Sequence, residues 1–382
     1  MKLLALIPTL SSGGAERVLT NLANDWCARS GWEVCILTLA SNQTPFYRLD
    51  ERVTHIALEM ERPSNHAWRA ATANWHRIRA VRKILQAFQP DLAIGFMSQA
   101  NVLLAFAGLG TGIPCLGSEH THPPKIPLGR AWEALRRHTY GWLYGVTALT
   151  KESREWLLSQ TRSRRCWVIP NAAPYPIPFQ PPCLSPQTVG RFGKKRLLAV
   201  GRLIPSKGFD LLLYAFSKLS HLHADWDLVI VGDGELKSSL GILAVELNIP
   251  DSVFFTGTVG NIGDWYAGSD LFVLSSRYEG FGNVLAEALT HALPCVSFDC
   301  QHGPRDIMRH GIDGLLVPAE DIEALANALD QLMTNDAQRA SMASRAIEAR
   351  ETYSIKRIHG QWDELFNRCM QDTLARHGTL ND

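Results

Sequence analysis

The chain has no apolar run long enough to cross a bilayer. The longest, Val102 to Leu116, is broken by Gly108, Gly110, Gly112 and Pro114 and falls short of the ~20 residues a spanning helix needs, so any membrane contact is expected to be peripheral. The eight cysteines (Cys27, Cys35, Cys115, Cys166, Cys183, Cys295, Cys300, Cys369) include no Cys-x-x-Cys and fall mostly inside apolar runs. That pattern speaks against zinc and against a disulfide framework, and reads as reduced core cysteine in a cytosolic protein. No biased tract and no tandem repeat is present, which excludes disorder, collagen, coiled coil, solenoids and propellers. A charge excess is missing too: 38 Lys+Arg against 37 Asp+Glu over 382 residues is too even for a protein that wraps nucleic acid. No Gly-x-Gly-x-x-Gly follows the first apolar run, which disfavours a NAD-dependent dehydrogenase.

The even charge hides a split. Residues 1–185 hold 20 Lys+Arg and 12 Asp+Glu, and residues 186–382 hold 18 and 25, so a basic half precedes an acidic one. The length is that of two domains, each able to bury its own core. Leu3-Leu4-Ala5-Leu6-Ile7 ends in Pro8 and a Ser/Gly turn without a cleavage-type site, so it reads as a first strand rather than a signal peptide.

Short apolar runs alternate with helical periodicity throughout, the mark of parallel α/β units. Strands are expected at Lys2–Ile7, Val34–Leu39, Leu92–Phe96, Pro114–Gly117, Val146–Leu149 and Cys166–Ile169, with a helix over Gly14–Ser30 whose Val18, Leu22 and Trp26 share a face. Between Pro170 and Pro186 seven of seventeen residues are proline, which suits a semi-rigid connector. Alternation then restarts with strands Arg196–Val200, Leu228–Val231, Val253–Thr256, Leu271–Leu274 and Cys295–Phe298, and helices Lys207–Leu219, Glu235–Leu247 and Asn283–His291. From Asp336 onward the pattern is helical without strands. The expected layout is a first domain over 1–170, a Pro-rich linker over 171–190, a second domain over 191–353 and a tail over 354–382 that folds back across the first domain. Two doubly wound parallel sheets bind ligands at their carboxyl ends, which makes the interdomain cleft the expected site.

The strongest constellation is Arg277-Tyr278-Glu279-Gly280-Phe281-Gly282-Asn283-Val284-Leu285-Ala286-Glu287. It follows a strand and opens a helix, where free amides form an anion site. Glu279 and Glu287 would frame a polar ligand such as a sugar or ribose. The spacing is equally met by a Gly-rich turn with a capping glutamate and a solvated one. Gly201-Arg202-Leu203-Ile204-Pro205-Ser206-Lys207-Gly208 is the second cluster. Arg202 and Lys207 either converge on a diphosphate, the first as a fork and the second as a point charge, or are ordinary surface cations.

These two stretches, with Val231-Gly232-Asp233-Gly234, Pro170-Asn171 and Gly13-Gly14-Ala15-Glu16, resemble glycosyltransferase family 4, in order from about residue 3 to residue 335. The resemblance implies a GT-B fold, two facing Rossmann-like doubly wound domains, and retaining transfer from a nucleotide-sugar. It implies that Glu279 holds donor-sugar hydroxyls, Glu287 ribose hydroxyls, and Arg202 and Lys207 the diphosphate. It further places the amides of Phe281, Gly282, Asn283, Val284 and Leu285 on sugar and phosphate, lets Gly14 approach the diphosphate, and sets the loop through Val259 against the base. His120, in Ser118-Glu119-His120-Thr121 at a strand end, resembles the family histidine near the donor sugar's reacting centre. A lone histidine is otherwise more often structural.

No Asp-x-Asp motif lies in a suitable loop, and the cations replace a divalent ion, so no metal and no cofactor is expected. Cys300 to Ile307 and Asp313 to Val317 are similar to members that build lipopolysaccharide, O-antigen, exopolysaccharide or lipid-linked oligosaccharide. One departure is Arg305-Asp306 where relatives often have Ser-Glu. The expected reaction is transfer of a hexose or N-acetylhexosamine from a UDP-sugar to a lipid-linked glycan at the cytoplasmic face of the inner membrane. Two alternatives are a UDP-sugar 2-epimerase of the same architecture, against which the glutamate spacing and Gly13-Gly14-Ala15-Glu16 speak, and a binding module without turnover, against which the presence of Glu279, Lys207 and His120 speaks.

Aromatic and basic residues interleave in two helical stretches. His66 to Phe88 carries Trp68, Arg69, Trp75, Arg77, Arg79, Arg82 and Lys83, and Arg130 to Tyr144 carries Trp132, Arg136, Arg137, Tyr140, Trp142 and Tyr144. Such a surface suits anionic lipid or an anionic soluble acceptor, and equally suits amphipathic helices whose tryptophans face a core.

Overall fold

Strands buried on both faces are largely apolar, as residues 3–7 and Leu92–Phe96 are here. The computed structural model describes residues 1–11, 13–40, 44–60, 67–121, 129–301 and 303–378, with 67–71 and 376–378 described by backbone alone. Its chain divides into two units, Met1–Pro170 with Ile358–Asp382, and Asn171–Arg357.

The first unit carries a seven-stranded parallel sheet of β1 (Lys2–Ile7), β2 (Glu33–Thr38), β3 (Thr54–Ala57), β4 (Leu92–Phe96), β5 (Cys115–Ser118), β6 (Gly145–Ala148) and β7 (Cys166–Val168), in the order β3-β2-β1-β4-β5-β6-β7. β4 is buried along its whole length, and β1 except for Lys2. The helix Gly14–Cys27 starts with acidic Glu16 in its first turn, which suits the positive end of the helix dipole. Its buried face is Leu19, Leu22, Ala23 and Trp26, one residue round from the expected stripe, with Val18 at the margin. From the helix Ile355–Gly378, Trp362 and Phe366 pack against Trp26, with ring centroids 6.4 and 5.3 Å apart. The ion pair Arg29–Asp363 (2.5 Å) ties the end of the first of these helices to the second, and the His359 ring, whose pKa burial lowers, lies with Nδ1 2.9 Å from an Asp25 carboxylate oxygen.

The second unit carries a six-stranded parallel sheet of β8 (Lys195–Val200), β9 (Trp226–Val231), β10 (Val253–Gly257), β11 (Leu271–Leu274), β12 (Cys295–Asp299) and β13 (Gly314–Pro318), in the order β10-β9-β8-β11-β12-β13. Helices Phe209–Leu219 and Ile322–Thr334 bury Phe209, Leu212, Phe216, Leu325, Leu329 and Leu332 in one cluster with Trp226 and Phe298. Full burial of a side chain of this size contributes about 1.5–3 kcal/mol.

The proline-rich stretch is no free connector. Gln180 N–H donates to the Gly260 carbonyl (3.1 Å), Gly260 N–H to that of Pro182 (2.6 Å), and the Asn261 amide both accepts from and donates to the Leu184 backbone (3.0 Å each). Proline's missing donors leave such a segment few ways to satisfy its carbonyls, and the loop after β10 supplies the partners.

Candidate active site

In both sheets the strand order reverses beside the first strand, between β1 and β4 in one and between β8 and β11 in the other. Open α/β sheets bind ligands at such a switch point, outside the carboxyl ends of the strands. In the second unit, Arg202 and Lys207 follow β8 and Glu279 to Leu285 follow β11, the two strands of the switch point, whereas Val259 follows the edge strand β10.

Lys207 and Glu279, 72 residues apart, meet across the switch point. Lys207 Nζ donates to Glu279 Oε1 at 2.6 Å, and Ser276 Oγ donates to the same oxygen at 2.7 Å. Glu279 is 8% exposed, and its Oε2 makes no hydrogen bond among the described residues. One carboxylate oxygen is thus anchored by two donors, and the other keeps its acceptor lone pairs. The loops that carry the pair are tied together: Arg277 grips Asp210 (2.6 and 2.9 Å) and the Pro205 carbonyl (2.7 Å), its N–H donates to Ser206 O (2.8 Å), and Ser275 Oγ donates to Lys207 O (3.0 Å). The Arg202 side chain is exposed and makes no hydrogen bond or ion pair among the described residues.

Gly282 sits at φ +104, a left-handed conformation that costs glycine little, and caps the helix Asn283–Thr290. The amides of Asn283 and Val284 have no acceptor earlier in that helix and are open to an anion. Leu285 departs from expectation, because its N–H is committed to Gly282 O at 2.9 Å. The side chains of Phe281 and Leu285 are core, Phe281 edge-on to Tyr353 at 5.8 Å. Asn283 Oδ1 accepts from Asn171 Nδ2 at 2.9 Å. Glu287 is 2% exposed and its Oε2 accepts from the Tyr266 hydroxyl at 3.1 Å, so it is an interior carboxylate rather than a solvated one. Gly280 and Val259 are half-buried. Arg305 pairs with Asp299 at the end of β12 (2.8 and 2.9 Å). His302 lies outside the described residues.

In the first unit, Gly14 is exposed at the start of its helix. His120 follows β5, its ring stacked on Phe96 (5.0 Å, 23°), and Phe96 in turn meets Trp362 at 6.2 Å. Its Nε2 lies 2.9 Å from Ser118 Oγ, and its Nδ1 is buried without a partner among the described residues. Burial pushes its pKa down to about 4, so the imidazole is neutral at physiological pH. Next to it, Glu119 is fully interior. Ser98 donates to both its oxygens (2.9 Å) and the Tyr140 hydroxyl to Oε1, while burial pushes its carboxyl above the usual range despite Arg136 nearby.

The residues expected to face a membrane divide. Arg136 is 1% exposed, ion-paired with Glu133 and over the Trp156 ring at 4.7 Å, so it belongs to the interior. Arg77 is turned back onto the Met60 carbonyl (2.7 and 3.0 Å), and Arg82 onto that of Leu109 (2.8 Å). Trp75 (58% exposed), Arg79 and Lys83 share one open face at i, i+4 and i+8, and Arg137 is also exposed. His66 and the side chains of Trp68 and Arg69 lie outside the described residues.

Sequence reasoning missed Ser276, Tyr266, Phe96 and Trp362. Ser276 alone left a signal, as the second of two hydroxyls that follow a buried strand.

Two Rossmann-like parallel sheets in one chain are the make-up of the GT-B fold. Solved structures agree. Sucrose-phosphate synthase from Thermosynechococcus elongatus superposes with a TM-score of 0.83 (18% identity, 97% of this chain, 100% of that one), and Anabaena HepE in complex with UDP and glucose with 0.78 (20%, 96% and 99%). Residues 12–174 match the model of Glycosyltransferase Family 4 and residues 186–349 that of Glycosyl transferases group 1. The chain belongs to glycosyltransferase family 4. Its relatives include a GalNAc-α-(1→4)-GalNAc-α-(1→3)-diNAcBac-PP-undecaprenol α-1,4-N-acetyl-D-galactosaminyltransferase of Campylobacter jejuni (29% identity, 96% of this chain and 98% of the relative) and the amylovoran biosynthesis glycosyltransferase AmsD of Erwinia amylovora (27%, 96% and 99%).

Proposed function

We propose that the chain is a retaining glycosyltransferase that moves a hexose or N-acetylhexosamine from a UDP-sugar to a lipid-linked glycan in bacterial surface-polysaccharide biosynthesis. The observation that carries this reading is Glu279, anchored through Oε1 by Lys207 and Ser276 with Oε2 left over, beside the open amides of Asn283 and Val284. The undecaprenol-linked substrate in the Campylobacter relative's name supports the acceptor class.

A retaining transfer develops positive charge on the sugar and negative charge on the departing diphosphate. Arg202, Lys207 and the helix start offset the second electrostatically, the contribution that is usually largest, without a divalent ion. Glu279 Oε2 takes sugar hydroxyls, Glu287, oriented by Tyr266, takes the ribose, and the loop at Val259 meets the base. His120 is assigned to the transferred sugar. Trp75, Arg79, Lys83 and Arg137 form the surface for anionic lipid at the cytoplasmic face. No helix among the described residues is long and apolar enough to cross a membrane.

The test is UDP release from a panel of UDP-sugars, with and without a bacterial lipid-linked acceptor extract, in EDTA. Acceptor-dependent release from one donor, with the product's anomeric configuration unchanged by NMR, is the expected result. Release that requires added divalent metal overturns metal independence, and donor conversion without UDP release means an epimerase.

A further inference from the structure

We infer that Ser118, backed by Thr147, fixes His120 as the neutral tautomer with its proton on Nδ1, so that His120 meets its ligand as a hydrogen-bond donor. The inference deepens the assignment of His120 to the transferred sugar and rests on it for its functional meaning only; the tautomer itself is read from the hydrogen bonds.

Thr147 Oγ1 donates to Ser118 Oγ at 2.8 Å, and Ser118 Oγ lies 2.9 Å from His120 Nε2. Both hydroxyl residues are 1% exposed, so neither has water to fall back on. A serine hydroxyl has one hydrogen and two lone pairs. One lone pair receives the Thr147 hydrogen, and Ser118 makes no other side-chain hydrogen bond among the described residues. Its own hydrogen therefore goes to Nε2. An Nε2 that accepts leaves the proton of a neutral ring on Nδ1, since the bond made by one ring nitrogen sets the state of the other. The opposite tautomer would strand the Ser118 hydrogen inside the protein and leave one more buried polar group unpaired.

The ring cannot swing to a different pairing cheaply. Phe96 stacks on its face at 5.0 Å and 23°, and Trp362 lies behind Phe96. Burial of the imidazole disfavours the cation, which would otherwise carry protons on both nitrogens. What remains is a buried Nδ1–H without a partner among the described residues. A donor so placed fits an oxygen acceptor, a sugar hydroxyl or an acetamido carbonyl, and does not fit a role as a base. Ser118 is thus a positioning residue that acts through His120.

The experiment is a long-range proton–nitrogen correlation spectrum of the full chain with 15N-imidazole histidine at pH 7.5, His120 being assigned by the signals absent from H120Q. The inference expects a protonated Nδ1 and a bare Nε2 in the wild type. In S118A the pattern should shift toward the Nε2–H form that free histidine favours in water, UDP affinity by calorimetry should stay unchanged, and UDP release should fall roughly ten- to a hundredfold. S118T, which keeps the hydroxyl, should restore the wild-type pattern. An Nε2–H or doubly protonated ring in the wild type overturns the inference without recourse to any variant, and so does an unchanged tautomer in folded S118A. Native UDP release in H120A beside an Nδ1–H wild-type spectrum would refute the assignment of His120 to the sugar while leaving the tautomer established.

Discussion

Replacing Lys207 with alanine strips the cation from a carboxylate whose side chain is only 10% exposed. Removing one partner of a fully buried ion pair costs about 3–5 kcal/mol, whereas an exposed pair contributes about 0–1. Lys207 is 21% exposed and Glu279 keeps its bond from Ser276, so the loss should lie near 2 kcal/mol. For a unit of this size that is a fall of roughly 4–8 °C in the melting of Asn171–Arg357. Glu279→Gln should cost less, about 1 kcal/mol, because the freed ammonium can turn to solvent. The double variant K207A/E279Q, with no buried charge left to compensate, should be more stable than the sum of the singles by about 1–2 kcal/mol. Urea unfolding of the four proteins, followed by a probe placed in the second unit, closes the cycle. Additivity within about 0.5 kcal/mol would refute the pair as a coupled device. The same proteins separate binding from turnover: K207A should weaken UDP binding, while Glu279→Ala should keep it and lose UDP release by a hundredfold or more. Near-native turnover of Glu279→Ala would remove that residue from the reaction.

Three further outcomes are expected. Because burial lowers the His120 pKa to about 4 against 6.5 in the unfolded chain, the unfolded state binds more protons between those values, so stability falls as pH drops through that window. The loss amounts to up to about 3 kcal/mol, and H120N should flatten that slope in pH-dependent urea unfolding of the first unit. R79Q/K83Q should weaken binding to anionic vesicles roughly thirtyfold, at about 1 kcal/mol per cation, whereas R136Q should unfold the first unit before it reports on lipid; unchanged vesicle binding of R79Q/K83Q refutes the surface. Gly260→Ala places a Cβ 1.6 Å from the Gln180 carbonyl oxygen and should cost about 1–3 kcal/mol, with faster proteolysis between 171 and 190 if that stretch is held as described.

Much of the fold was legible because parallel strands are uninterrupted apolar runs: Lys2–Ile7, Leu92–Phe96 and Leu271–Leu274 fall where the sequence places them. Two strands escaped. β3 is four residues at a sheet edge with no fully buried position, and β13 closes the far edge of the other sheet. Glu279, Lys207 and Asn283 could be picked out as polar residues just past apolar runs. Their mutual contact could not, since it depends on β8 lying beside β11, and alternation does not encode strand order. The proline count suited a semi-rigid connector, and the structure has no α-helix or strand over 171–185, but the count said nothing of the loop that holds the stretch. Arg136 was misplaced by weighting residue type above period. Trp132, Leu135, Arg136 and Thr139 recur at i, i+3, i+4 and i+7, the spacing of a face turned inward.

The packing of Trp362 and Phe366 onto Trp26 and Phe96 has a consequence for how the protein is made. The ribosome delivers the first seven strands, then all 187 residues of the second unit, and only afterwards the helix that covers those rings. At about 5–20 residues per second the gap is roughly 10–40 s, during which Asn171–Arg357 can finish folding while the earlier sheet waits with an apolar face uncovered. A transcript cut short near codon 357 would yield a complete second unit joined to a first whose histidine lacks its backing.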